Sequence, residues 1–130
     1  MNQNANIKIL ITDDHSLFRK TLVTFLQSKA DMQVVGEAEN GQVAVQKSRE
    51  RCPDVILMDV SMPVLGGIEA TRQIRRVCRE TKIIALSNQT DDYFIREMQK
   101  AGASNYLSKS TSAKHIEQSI RNAVSRAPEA

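Results

Sequence analysis

The chain has 130 residues, 41% of them apolar and 25% charged, which gives one domain with an ordered core and excludes a disordered chain. Trp is absent and only three Phe and two Tyr occur, so there is little surface to stack bases or a flat cofactor, and the core is expected to be aliphatic. The net charge is +3, and Arg72, Arg75, Arg76 and Arg79 fall in one segment, where a solvated helix face explains them before a nucleic-acid contact does.

Short β-prone runs alternate with longer segments of helical period, the pattern of βαβ units around a parallel sheet. The first strand is expected over Ile7–Thr12, followed by a helix striped by Phe18, Leu22, Phe25 and Leu26. Gln33–Ala38 forms the second strand. After the turn signal Asn40-Gly41 comes a weakly patterned helix, roughly Gln42 to Arg51, whose existence rests on topology. Val55–Met58 is a continuous apolar run, as suits a strand buried on both faces. Ile68, Thr71, Ile74 and Cys78 stripe a third helix after Gly66-Gly67, and Ile83–Ser87 forms the fourth strand. Thr90, Asp91 and Asp92 suit the start of a helix striped by Phe94, Met98 and Ala101. After Ala101-Gly102, Asn105–Leu107 is the fifth strand, and Ile116, Ile120, Ala123 and Val124 stripe the last helix. Residues 1–6 and 127–130 are expected to be flexible ends, and the tail around Pro128 resembles a linker at which a partner domain could begin.

Cys52 and Cys78 lack C-x-x-C spacing and a nearby His pair, so reduced, packed thiols are expected rather than zinc ligands. The apolar runs are too short for a bilayer and Met1 to Asn6 is polar, which makes the cytoplasm the expected compartment. His15 has no second ligand at helical spacing and is expected to face solvent.

In an open parallel sheet, ligands bind beyond the carboxyl ends of the strands. There the first strand is followed by Asp13-Asp14, the third by Asp59 and the fifth, two residues on, by Lys109, while the fourth ends in Ser87. Three converging carboxylates repel one another unless a cation shares the site, and hard oxygen ligands with open positions suit Mg²⁺. One carboxylate then remains to act as a nucleophile toward phosphorus, and Asp59 is the best placed. Lys109 and the Ser87 hydroxyl would stabilise the charge of the transferred group.

Asp13-Asp14, the run Asp59-Val-Ser-Met-Pro63 with Gly66-Gly67, Ser87, and Ala101-Gly102-Ala103 leading to Tyr106 and Lys109 resemble the response-regulator receiver domains of two-component signalling, over essentially the whole chain. Asp14-His15-Ser16-Leu17-Phe18-Arg19 is similar to the subfamily whose receivers precede a LuxR-type helix-turn-helix domain. The resemblance implies a flavodoxin-like, doubly wound five-stranded parallel sheet of order 2-1-3-4-5 with five helices, one receiver domain spanning 1–130. It implies a phosphoryl group accepted on Asp59, and Mg²⁺ (or Mn²⁺) bound by Asp14, Asp59 and the Ser61 backbone carbonyl, with Asp13 acting through water. Ser87 and Lys109 would hold the phosphoryl oxygens, Ser87 and Tyr106 would switch conformation, and Ser61 and Gln89 would tune the phosphoryl lifetime. The implied partners are a sensor histidine kinase or phosphotransfer protein and a second receiver, with no direct nucleic-acid or membrane contact by this domain. Transcription would be controlled through a partner or output domain. Such a chain is a switch rather than an enzyme, although it would catalyse its own phosphoryl transfer and autodephosphorylation.

The family usually has Asp or Asn where this chain has Gly66, and many members have Pro where it has Ser110, so the isomer of the Lys109–Ser110 bond stays open. Three other functions compete. A flavin carrier would need a phosphate loop where Asp13-Asp14 stand. An aspartate-nucleophile phosphatase would need a general acid at Ser61. The third is a receiver that works as an interaction module without phosphate.

Overall fold

The computed structural model describes residues 6–89 and 91–125. Strands and helices alternate as β1 (Ile7–Thr12), α1 (Ser16–Gln27), β2 (Met32–Ala38), α2 (Gly41–Glu50), β3 (Val55–Met58), α3 (Gly67–Val77), β4 (Lys82–Ser87), α4 (Asp92–Ala101), β5 (Asn105–Ser108) and α5 (Ala113–Ser125). Each strand lies within one residue of its expected bounds, and all pair in parallel in the order β2-β1-β3-β4-β5. Thr90 and the expected flexible ends lie outside the described residues, except Asn6, which is exposed and without regular structure.

Alternation along the strands divides the core into two layers. Leu10, Ile56, Met58, Ile83 and Ala85 face α2, α3 and α4 through Ala44, Val45, Ala70, Ile74 and Met98. Ile9, Ile11, Val55, Leu57, Ile84 and Leu86 face α1 and α5 through Leu22, Leu26, Ile116 and Ile120. With two-sided burial, β3 has to be apolar throughout, and all four of its residues are buried.

The weakly patterned helix is real, and its faint stripe has a cause. Its buried face is built from Ala44, Val45 and Ser48, two of them small. Asn40 is its N-cap, accepting the Val43 N–H at 2.9 Å, an interaction worth about 1 kcal/mol. A helix held by a cap and small contacts shows little hydrophobic periodicity.

Three expectations change. Cys52 and Cys78 are not free thiols but are joined, with Cα atoms 5.6 Å apart, because the C-cap of α3 returns beside the loop that follows α2. Arg75 does not lie on a solvated face. Its guanidinium donates to the carbonyls of Cys78 (3.2 Å), Arg79 (3.0 Å), Thr81 (2.7 Å) and Gly102 (2.9 Å), tying the end of α3 to the end of α4, and burial pulls its pKa down. Val124, placed on the last apolar stripe, is exposed. No cis peptide bond occurs among the described residues, so Lys109–Ser110 is trans. Among the described residues no helix is long and apolar enough to cross a membrane.

Candidate phosphoacceptor site

The site residues are set by hydrogen bonds that extend the sheet ladder past its carboxyl edge. The Asp13 N–H donates to Ala38 O (2.9 Å), the Asp59 N–H to Thr12 O (3.0 Å) and the Lys109 N–H to Ser87 O (3.1 Å). The backbones of all three are therefore fixed by neighbouring strands before any ligand arrives. Their side chains converge: Lys109 Nζ lies 2.8 Å from Asp13 Oδ2 and 3.1 Å from Asp59 Oδ2. Phe18 of α1 closes the lysine's other side, its ring centre 5.1 Å from Nζ.

Asp13 and Asp59 are almost completely buried, at 2% and 3% exposure. Burial and then the neighbouring Asp13 charge raise the Asp59 pKa, and the Lys109 ammonium opposes them without cancelling them. For Lys109, burial works against the charge, but the hydrogen bond to Asp13 and the charges of Asp59 and Asp13 outweigh it, leaving its pKa raised. Two buried acids served by one lysine leave a negative surplus.

Asp13, Asp14, His15 and Asp59 each offer a ligand atom, and these four atoms lie within 4.8 Å of one another. Asp13 Oδ2 is paired with the Lys109 ammonium at 2.8 Å. A cluster of carboxylate oxygens that carries more negative charge than one lysine balances fits a divalent cation. Ser61 is exposed in the loop after Asp59.

That loop is built tightly. Leu65 N–H donates to Pro63 O at 2.7 Å, and Val64 between them takes φ 70°, a strained conformation for a β-branched residue. Gly41 N–H holds Leu65 O at 2.9 Å and Gly67 N–H holds Val60 O at 2.8 Å. A Cβ on Gly67 would stand 2.0 Å from the Asp59 carbonyl oxygen, so glycine is what lets α3 start against Asp59.

Ser87, Gln89 and Tyr106 form one chain of contacts. The buried Ser87 Oγ accepts the Gln89 N–H at 2.9 Å, and Tyr106 OH donates to Gln89 O at 2.5 Å. Burial raises the phenol's pKa, and the ring packs against the α2–α3–α4 side of the core.

Sequence reasoning passed over two residues. His15 is exposed, as expected, but its Nδ1 also lies 3.1 Å from Asp13 Oδ1, 3.4 Å from Asp14 Oδ1 and 3.0 Å from Lys109 Nζ. Arg19 donates to the Asp13 carbonyl at 2.6 Å and to Glu37 Oε1 at 2.8 Å, bracing the first acid from behind. Adjacency to Asp13-Asp14 was the only signal for His15, and for Arg19 it was one helical turn's distance from His15.

A doubly wound α/β domain that gathers acids and a lysine at the carboxyl ends of its strands is the class these features define. The chain belongs to the response regulator receiver domain family, which matches residues 9–121. It is 40% identical over 115 residues to the response regulator GacA of Pseudomonas syringae, covering 88% of this chain and 54% of that protein. It is 42% identical over 122 residues to the transcriptional regulatory protein LiaR of Bacillus subtilis, covering 94% of this chain and 58% of that protein. This chain therefore spans little more than half the length of those relatives. Among solved structures, the response regulator domain of Thermotoga maritima CheB aligns with a TM-score of 0.86 and 35% identity, covering 95% of this chain and 99% of that one. The receiver domain of the NarL regulator of Mycobacterium tuberculosis aligns with a TM-score of 0.87 and 25% identity, covering 94% and 98%. Receivers of this family are signalling switches that work by phosphorylation of an aspartate and interact with kinases or phosphotransfer proteins.

Proposed function

We propose that Asp59 is the phosphoacceptor of this receiver, and the convergence of Asp59 and Asp13 on the Lys109 ammonium carries that reading. An Asp59 carboxylate oxygen attacks the phosphorus of a phosphohistidine on a kinase or phosphotransfer partner, the P–N bond breaks, and the imidazole leaves with the electron pair. Lys109 and the Ser87 hydroxyl hold the phosphoryl oxygens. Asp13, Asp14, Asp59 and the Ser61 carbonyl would hold Mg²⁺ or Mn²⁺, which supplies charge neutralisation to the transferred group. Drawing the Ser87 hydroxyl toward the phosphoryl group removes the acceptor of the Gln89 N–H, and the strain passes to Tyr106 through Gln89 O. Only the differential energy of such contacts shifts the population, and about 5.5 kcal/mol is needed for full reversal. Gln89 and Ser61 tune the lifetime of the acyl phosphate, the chain's own autodephosphorylation, with the Gln89 amide orienting a hydrolytic water.

The name of the LiaR relative, a transcriptional regulatory protein, supports transcriptional control as the response; the same reading places the receiver in the cytoplasm, acting through an output domain or a second receiver. Intact mass after incubation with Mg²⁺ and a small acyl-phosphate donor tests the chemistry. One phosphoryl gain is expected, absent in Asp59→Asn and after chelation. No gain in the wild type would leave an interaction module that works without phosphate.

A further inference from the structure

His15 follows Asp14 at the point where β1 gives way to α1, and its N–H donates to Asp13 Oδ1 at 2.8 Å. This turn of Asx type brings Nδ1 back toward the acids while the side chain stays exposed. Nδ1 thereby comes within 3.1 Å of Asp13 Oδ1, 3.4 Å of Asp14 Oδ1 and 3.0 Å of Lys109 Nζ.

Neither tautomer satisfies all three neighbours. An ammonium only donates, so Lys109 requires a lone pair on Nδ1, and that lone pair then faces two carboxylate oxygens. A hydrogen on Nδ1 would satisfy the carboxylates and point at the ammonium. A cation among the four ligand atoms would accept the Nδ1 lone pair and the carboxylate lone pairs together, relieving their mutual repulsion while drawing Nδ1 away from the Lys109 ammonium.

Resting on the metal reading above, we propose that His15 Nδ1 is a ligand of the divalent cation and shifts the site's preference from Mg²⁺ toward nitrogen-favouring ions such as Ni²⁺, Co²⁺ and Zn²⁺. Oxygen donors alone suit Mg²⁺, whereas imidazole adds affinity for the later transition metals. The ring is 62% exposed whereas Asp13 and Asp59 are buried, so it would add a donor from the solvent side of the cluster. This receiver would then answer to which metal the cell supplies as well as to its phosphodonor.

Binding of Mn²⁺, Ni²⁺ and Mg²⁺, each alone, is measured on the whole chain, with pulsed EPR of the Mn²⁺-loaded protein to detect ¹⁴N coupled to the ion. Wild type is expected to show imidazole nitrogen coupling, and His15→Gln to lose it. The ratio of Ni²⁺ to Mg²⁺ affinity should fall roughly tenfold in His15→Gln, on the scale of losing one metal-ligand contact. His115→Gln, in the exposed His115 of α5, should change neither. Mn²⁺ binding that depends on Asp59 but shows no nitrogen coupling, with an unchanged affinity ratio in His15→Gln, overturns the role of His15 and leaves the metal reading intact. If none of the three ions binds, the metal reading fails and the proposal with it.

Discussion

Asp59 is buried beside a second acid, and its raised pKa has a defined consequence for stability. The folded chain holds the Asp59 proton at a pH where the unfolded chain, with the ordinary value of 3.8, has released it. Stability therefore falls as pH rises from 3.8 through the native pKa, and the full penalty applies above that. In the presence of chelator, Asp59→Asn should be more stable than wild type by about 1–2 kcal/mol at neutral pH, the ordinary scale of a single relieved interaction. The gain should shrink as pH approaches 3.8. Urea melts across this range check it; equal stability at neutral pH would mean that Lys109 fully compensates the burial and the Asp13 repulsion. A functional acid that costs stability until a cation or phosphoryl group arrives is the expected trade at a switch.

At the scale of elements, the loop between β3 and α3 decides how accurately Asp59 is held. Gly67 touches the Asp59 backbone and Gly41 supports the loop from α2, so the packing of two helices is transmitted to the phosphoacceptor. Gly67→Ala drives a Cβ into the Asp59 carbonyl, and the chain can answer only by moving α3 or Asp59. The expected outcome is destabilisation of at least about 2 kcal/mol together with a marked drop in the rate of phosphoryl gain. Thermal melts and the intact-mass assay measure the two effects separately. At the other end of α4, Gly102 has φ 118° and the Arg75 side chain against it, a C-cap that Ala could not adopt without strain. The two positions share a residue type but not a reason: close approach in one, a left-handed backbone in the other.

For the molecule as a whole, the bond between Cys52 and Cys78 is remote from the carboxyl edge of the sheet. It closes a loop of 26 residues that contains β3 and α3. Loop-closure entropy puts its contribution at about 3–4 kcal/mol. Dithiothreitol, or Cys52→Ser, should lower the unfolding free energy by about that amount while the acids, Lys109 and Ser87 keep their places. Denaturant melts with and without reductant check this. Such bonds are rarely kept in a reducing cytoplasm, so trapping the thiols in intact cells also tests the compartment proposed above. Stability in this domain thus has one contribution that the cell can change without touching the site.

Much of this was legible in the sequence because both signals are local or periodic. The short β-prone runs, continuous and apolar in the middle strands, and the helical stripes follow from which side chains must leave water, and they gave the α/β alternation. The parallel order came from the family resemblance. Asp13, Asp59, Ser87 and Lys109 stood out because strand ends in such a sheet share one edge. Other features depend on residues far apart in the chain meeting in space. The pairing of Cys52 with Cys78, the carbonyl cage around Arg75 and the contact of Gly67 with Asp59 exist only once β3, α3 and β4 have packed. His15 is the intermediate case: its place beside two acids was in the sequence, but the turn that aims its ring at Lys109, 94 residues away, came from the tertiary fold. Periodicity reports which face is buried, while a specific contact depends on the backbone position of its partner, and packing alone sets that.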